Sequence, residues 1–158
     1  MQEVSTVTLT QLYTVGEAAV LIGVSISTIR MYEREGLIIP LRRNSKHRRF
    51  SEADIERIRC LRKTINAEKV SIAGIRHLLS LIPCWKIKDC PAEARDNCRA
   101  FKQHERPCWM VSGKSWQCRS AECRTCAVCT DVASCATLKK TIASYTVQPQ
   151  EHHYFENS

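Results

Sequence analysis

Cysteines are the residues in this chain best suited to chemistry, and they are unevenly spread. Of ten in 158 residues, Cys60 lies alone in the first 82. The other nine are Cys84, Cys90, Cys98, Cys108, Cys118, Cys123, Cys126, Cys129 and Cys135. Two of them belong to a repeated Pro-Cys-Trp unit, at 83–85 and 107–109, and each unit is followed by a further cysteine, Cys90 or Cys118. Such a unit offers a thiolate with an indole beside it to keep water away. The stretch "CRTCAVC" at 123–129 spaces three cysteines as C-x2-C-x2-C, with Cys135 six residues on. Bacterial ferredoxins use that spacing for three ligands of one [4Fe–4S] cluster, with a distant cysteine as the fourth. Zinc competes, because Cys123 and Cys126 also make one C-x2-C pair of the kind found in tetrahedral four-cysteine sites. Reversible disulfides, or sensing of another soft metal, are the remaining uses of such a set. An iron–sulfur cluster is the favoured cofactor and zinc the alternative.

The residues around these cysteines cannot hold them in place unaided. From Trp85 to Cys135 there are few Leu, Ile or Val, so little apolar surface is available to offset chain entropy. Metal bound by thiolates supplies folding free energy directly, so a small metal-stabilised domain is expected over 83–136. Trp85, Trp109 and Trp116 are read as its apolar core. The segment Glu93–Glu105 could form one short helix. His104, His152 and His153 are spaced unlike metal ligands. Cys60 falls mid-helix among apolar positions and reads as a buried small hydrophobe.

The first half is patterned quite differently. "TVGE" at 14–17 is a capping box, followed by Val15, Ala18, Ala19 and Ile22 at helical spacing, with Gly23 as the stop. Ser25 caps a second helix that carries Ile26 and Ile29 on one face and stops at Gly36. "SEAD" at 51–54 opens a third, with Ile55, Ile58, Leu61 and Ile65 in register. Ser71 opens a fourth, with Ile72, Ile75 and Leu79. The first two, joined by "IGVS", read as a helix-turn-helix. "PLRRNSKHRRF" then places Arg42, Arg43, Lys46, Arg48 and Arg49 on a short hairpin around Asn44-Ser45, with no acid among them. Beside Thr28, Arg30 and Arg34 on the second helix, these cations suit contact with phosphates. Lys plus Arg exceed Asp plus Glu by 24 to 16, a net charge of +8, in keeping with a polyanionic partner.

The run "YTVGEAAVLIGVSISTIRMYEREGLIIPLRR…HRRFSEADIERIRCLRK" resembles the winged helix-turn-helix of the mercury-resistance-regulator (MerR) family, from about Tyr13 to Ile82. The wording "IRMYE" and "HRRF" is similar to the heat-shock-repressor branch. The resemblance implies that the second helix enters the major groove and the wing contacts backbone. The candidate DNA-binding set is Ser27, Thr28, Arg30, Tyr32 and Arg34 with Arg42, Arg43, Lys46, Arg48 and Arg49, core packing next to Ile29 being the equal alternative for Tyr32. Family wings often carry tyrosines where this chain has His47 and Phe50, so its wing binds through charge. Typical members continue into a long dimerising helix; here Pro83 and Pro91 interrupt it. Dimerisation is then left to the cysteine-rich half or to side-by-side binding on DNA. "PCWKIKDC", "NCRAF", "RPCWMV" and "CRTCAVC" resemble a two-CW domain, a cysteine-rich module named for two Cys-Trp pairs.

The expected fold is mainly α. Residues 1–12 form a flexible N-terminus and 13–82 a winged helix-turn-helix of four helices and a β-hairpin wing. Residues 83–136 form the cysteine-rich domain and 137–158 a disordered polar tail. The expected function is a cytoplasmic, non-enzymatic regulator. It would bind promoter DNA as a homodimer, act on RNA polymerase there, and sense redox or metal state through its cysteines. No membrane is expected as partner, since no 18-residue apolar run occurs. Two other readings are an architectural or excisionase-like winged-helix protein with structural zinc, and an electron-transfer module fused to a DNA-binding domain.

Overall fold

The computed structural model describes residues 11–42, 47–119, 122–130, 140, 143 and 144. Arg43, Lys46, the Asn44-Ser45 turn, Cys135, His152, His153 and nearly all of the polar tail lie outside the described residues.

Local hydrogen bonding starts each helix of the first half where its capping residue stands. Thr14 Oγ1 accepts from Glu17 N at 3.2 Å, and Glu17 Oε2 accepts from Thr14 N at 2.7 Å, opening α1 (Val15–Ile22). The Thr14 N–H, and after it the Thr14 hydroxyl, hold the Glu17 carboxyl below the usual carboxylate range. Gly23, at φ 72°, ends α1 by donating to the carbonyls of Ala19 and Val20. Ser25 opens α2 (Ile26–Arg34) by accepting from Thr28 N at 3.1 Å. The chain bends by 106° between α1 and α2, within the range of a helix-turn-helix. Ser51 and Asp54 make a second capping box at the start of α3 (Glu52–Asn66), and Ser71 caps α4 (Ile72–Ser80).

The wing is a hairpin of β2 (Leu41–Arg42) and β3 (Arg48–Ser51), paired Leu41 with Arg49 and Arg42 with Arg48. A further strand, β1 (Leu12–Tyr13), covers the other edge of β3, so Leu12 belongs to the sheet and not to a flexible N-terminus. Two residues are too few to show alternation. Their pairing with Ser51 and the fully buried Phe50 creates the strand.

Beyond the buried Pro83 the chain breaks into short pieces: α5 (Cys84–Ile87), α6 (Ala92–Asp96), α7 (Arg99–Lys102), a 3-10 turn at Cys108–Met110, α8 (Trp116–Arg119), a 3-10 turn at Cys123–Thr125 and α9 (Ala127–Thr130). None is long enough to be stable in isolation. The single helix expected over Glu93–Glu105 is split, because Cys98 adopts extended backbone and turns inward, 7% exposed. Val128 joins the core cluster of the first half, with Cys84, Ile87, Cys108, Trp109 and Cys126 packed against it. The two halves therefore share one apolar interior. Trp85 meets Phe101 edge-on at 5.2 Å, but Trp116 is 63% exposed and is not part of the core expected of it. Cys60 is disulfide-bonded and half-buried, not a buried small hydrophobe. No single helix among the described residues is long and apolar enough to cross a membrane.

Candidate nucleic-acid interface and thiol cavity

On α2 the side chains of Ser27, Arg30 and Arg34 are exposed and Thr28 half-exposed. Ser25, Ser27 and Thr28 gather their hydroxyls at the start of the helix, 2.8–2.9 Å apart. Tyr32 does not belong with them. It lies three residues after Ile29 on the buried face, 4% exposed, and packs in the core. Of the wing cations, Arg42 is exposed and Arg48 and Arg49 half-buried; Arg43 and Lys46 are outside the described residues.

Glu33 is a residue that sequence reasoning missed. Its carboxylate accepts from Arg42 Nη2 at 3.1 Å and Arg48 Nε at 2.5 Å, tying the wing to the last turn of α2. The hint was present in the sequence: an acid on the helix facing a hairpin that has none of its own.

Eight cysteines widely separated in sequence line one cavity of about 40 Å³: Cys84, Cys90, Cys98, Cys108, Cys118, Cys123, Cys126 and Cys129. All eight are free thiols, and Trp85, Phe101, Trp109 and Val128 supply apolar walls. Lys114 Nζ stands 3.1 Å from Cys123 Sγ. Burial alone would depress the ammonium, but that contact and the surrounding thiols raise its pKa overall. Ser115, 3% exposed, also lines the cavity, near Cys90 but with no hydrogen bond of normal geometry on its hydroxyl. The donors fit a soft ion or cluster in kind: eight sulfurs, dry walls and one unsatisfied hydroxyl. As placed, no three donors among the described residues are arranged to hold a metal ion.

Within this set Cys84 is distinct. A hydrogen bond from the Cys108 thiol, aided by backbone N–H groups at the start of α5, holds its pKa below the ordinary cysteine value despite burial. The same contact drives Cys108 far upward, and burial raises Cys90, Cys118 and Cys129. In reduced, metal-free protein at neutral pH, limiting iodoacetamide is expected to modify Cys84 before those four, because the thiolate is the nucleophile. Peptide mass spectrometry reads the order, and equal labelling would contradict the pairing.

The cavity abuts α2 through the turn that follows it. Trp109 Nε1 donates to Gly36 O at 2.7 Å, and Arg57 Nε to Leu37 O at 2.8 Å. Arg57 also reaches Cys129 O at 3.5 Å and lies 5.8 Å from the Trp109 ring centroid. Arg124 donates to Ile39 O, to both carboxylate oxygens of Asp54 and to Ser51 Oγ. Gly36 itself has φ 71°, and a Cβ there would collide with Met110 at 1.9 Å from its sulfur. Three carbonyls between α2 and the wing are thus satisfied by Arg57 and by the cysteine-rich half.

The sequence of the first half has known counterparts. Residues 13–82 match the family described as MerR HTH family regulatory protein. They form a MerR-family helix-turn-helix domain. Heat shock protein HspR, as a Streptomyces coelicolor protein is named, is 36% identical over 72 residues, 46% of this chain and 48% of that protein. The HTH-type transcriptional regulator MlrA of Escherichia coli K12 is 40% identical over 70 residues, 44% of this chain and 28% of that protein. A Haemophilus influenzae protein named as a heavy metal-dependent transcriptional regulator is 41% identical over 68 residues, 42% of this chain and 52% of that protein. The chain spans about half or less of the length of these relatives, and each match falls short of half this chain. No solved structure matches. The MerR-type domain thus accounts for the helix-turn-helix and wing, and the thiol cavity lies beyond the matched residues.

Proposed function

We propose that this chain is a cytoplasmic, DNA-binding transcriptional regulator whose thiol cavity takes a soft metal ion or an iron–sulfur cluster and passes its state to the DNA-reading helix. The observation that carries the first part is the surface formed by Arg30 and Arg34 of α2 with Arg42, Arg48 and Arg49 of the wing, in a domain of the MerR type. Phosphate contacts from such cations position the domain and supply most of its affinity, while base edges in the groove are read by the exposed side chains at the start of α2. Promoter DNA, with RNA polymerase acting there, is the partner this reading assigns. A second copy of the chain on the adjacent half-site completes the arrangement.

The second part rests on the eight converging sulfurs and their route to the DNA surface. A bound group would supply cross-linking of thiolates, and with iron also redox chemistry. What this chain contributes is the linkage: Cys129 contacts Arg57, Arg57 holds Leu37 O, and Trp109, next to Cys108, holds Gly36 O. A shift of the thiols moves the turn from which the wing departs.

Arg30→Ala is expected to weaken binding to the promoter about tenfold to a hundredfold, the loss of one bidentate or phosphate contact, with an unchanged thermal melt. Anisotropy on promoter fragments reads it, and wild-type affinity in this variant would remove α2 from the interface. Absorption, iron, sulfide and zinc analysis of anaerobically purified protein tests the cavity. Metal-free protein with eight reduced thiols would refute that part.

A further inference from the structure

We infer that the cysteine-rich half carries a second phosphate-contacting surface, formed by Arg99, Lys102 and Arg106, that extends the DNA footprint beyond the wing. The inference rests on the DNA-binding reading above.

These three cations rim a groove of about 460 Å³, with Glu105 the one acid on it. All three are exposed, and none is ion-paired with a carboxylate among the described residues, whereas Arg42, Arg48, Arg59, Arg76 and Arg124 all are. Unpaired cations kept close together repel one another, so a polyanion gains by settling among them.

The groove is built, not incidental. The Gln103 side chain accepts from the N–H groups of Glu105 and Arg106, both at 2.9 Å, and donates to Arg106 O at 2.6 Å. His104 O is held by Ser80 Oγ at 2.6 Å and the His77 ring at 2.8 Å. The loop presenting Arg106 is therefore closed on itself and pinned to α4. Opposite it, Arg99 lies on Gly113, whose φ of 76° and missing side chain admit the arginine stem: a Cβ there would come within 2.8 Å of Arg99 Cδ.

Position assigns the partner. Met110 lines this groove and also the neighbouring one that contains Glu33 and Arg42 of the reading helix and wing. The two grooves therefore adjoin at one residue, which places the second cluster next to Arg42 of the wing. A duplex presents phosphates continuously along each strand, so a strand lying on the wing has further phosphates within reach of the second cluster.

The test uses the full chain and a fluorescein-labelled random-sequence duplex about three helical turns long, with anisotropy measured over a series of KCl concentrations. For the triple variant Arg99→Ala, Lys102→Ala, Arg106→Ala, the slope of log affinity against log salt is expected to shrink by about 2 to 3, close to one per cation. Affinity at low salt is expected to fall at least about tenfold. A variant with lysine in place of Arg99 and Arg106 should keep the wild-type slope, which a merely structural role for those arginines would not predict. A triple variant with wild-type slope and affinity, alongside an Arg30→Ala variant that binds weakly, would overturn this inference while leaving the DNA-binding reading intact, and would hand the cluster to an acidic protein surface. A wild-type chain that binds no duplex at any salt would overturn both.

Discussion

Arg57→Ala is expected to destabilise the protein by about 2–4 kcal/mol, from an unsatisfied buried carbonyl and the void left behind. Arg57 is only 8% exposed on α3, yet among the described residues no carboxylate pairs with it directly. Burial pulls its pKa down, while Cys129 and the more distant charge of Asp54 pull it up; the guanidinium stays charged at any working pH. What holds it is carbonyl oxygens, Leu37 and Cys129, and the face of Trp109. Alanine leaves a void and an orphaned carbonyl at Leu37, a residue wholly buried. Arg57→Met keeps most of the volume and should cost less, about 1–3 kcal/mol, chiefly for the orphaned carbonyl. Urea unfolding followed by tryptophan fluorescence distinguishes the two. An alanine variant within about 1 kcal/mol of wild type would mean that Arg57 does not fasten the halves together.

The second large effect lies at Asp54. Its carboxylate closes the α3 capping box, accepting from Ser51 N at 2.7 Å and Ser51 Oγ at 2.8 Å, and it also receives Arg124 at 2.6 Å. Both side chains are largely buried, 13% and 18% exposed. Arg124→Ala is expected to cost about 2 kcal/mol, the worth of charge-assisted hydrogen bonds. Asp54→Ala should cost about 1 kcal/mol more, since the helix cap goes too. In a double-mutant cycle the coupling should be about 1.5–2 kcal/mol. A coupling below about 0.5 kcal/mol would place the pair with ordinary surface ion pairs.

These two sites show where sequence reading reaches and where it stops. Thr14, Ser25, Ser51 and Ser71 announce their helices because a cap and its backbone N–H donor lie three residues apart, so the chemistry is written locally. The basic wing is equally legible, since a run of cations without acids needs no tertiary knowledge. Arg57 and Arg124 were opaque for the opposite reason. Charged residues are ordinarily solvated, and their partners lie 20 to 72 and 70 to 85 positions away respectively. For Tyr32 the resemblance and the spacing from Ile29 point opposite ways, one to DNA and one to the core, and local sequence holds nothing that chooses between them. The cysteines were recognisable as a set, but their convergence depends on the path of seven short elements that carry no periodicity. The sulfurs also suit several soft ions alike, so spacing could not choose among them.

Glu33 has a consequence for how the wing can meet a nucleic acid. It presents two oxygens to Arg42 and Arg48 much as a phosphate would, so both arginines already hold an internal stand-in for the backbone. Each arginine spends one nitrogen on Glu33 and keeps other N–H donors for a phosphate, so a strand that docks here settles beside a carboxylate of its own sign. Docking at the wing thus carries a toll on every approach. A backbone that also engages Arg30 and Arg34 can bear that toll, whereas a stray polyanion touching the wing alone is turned away.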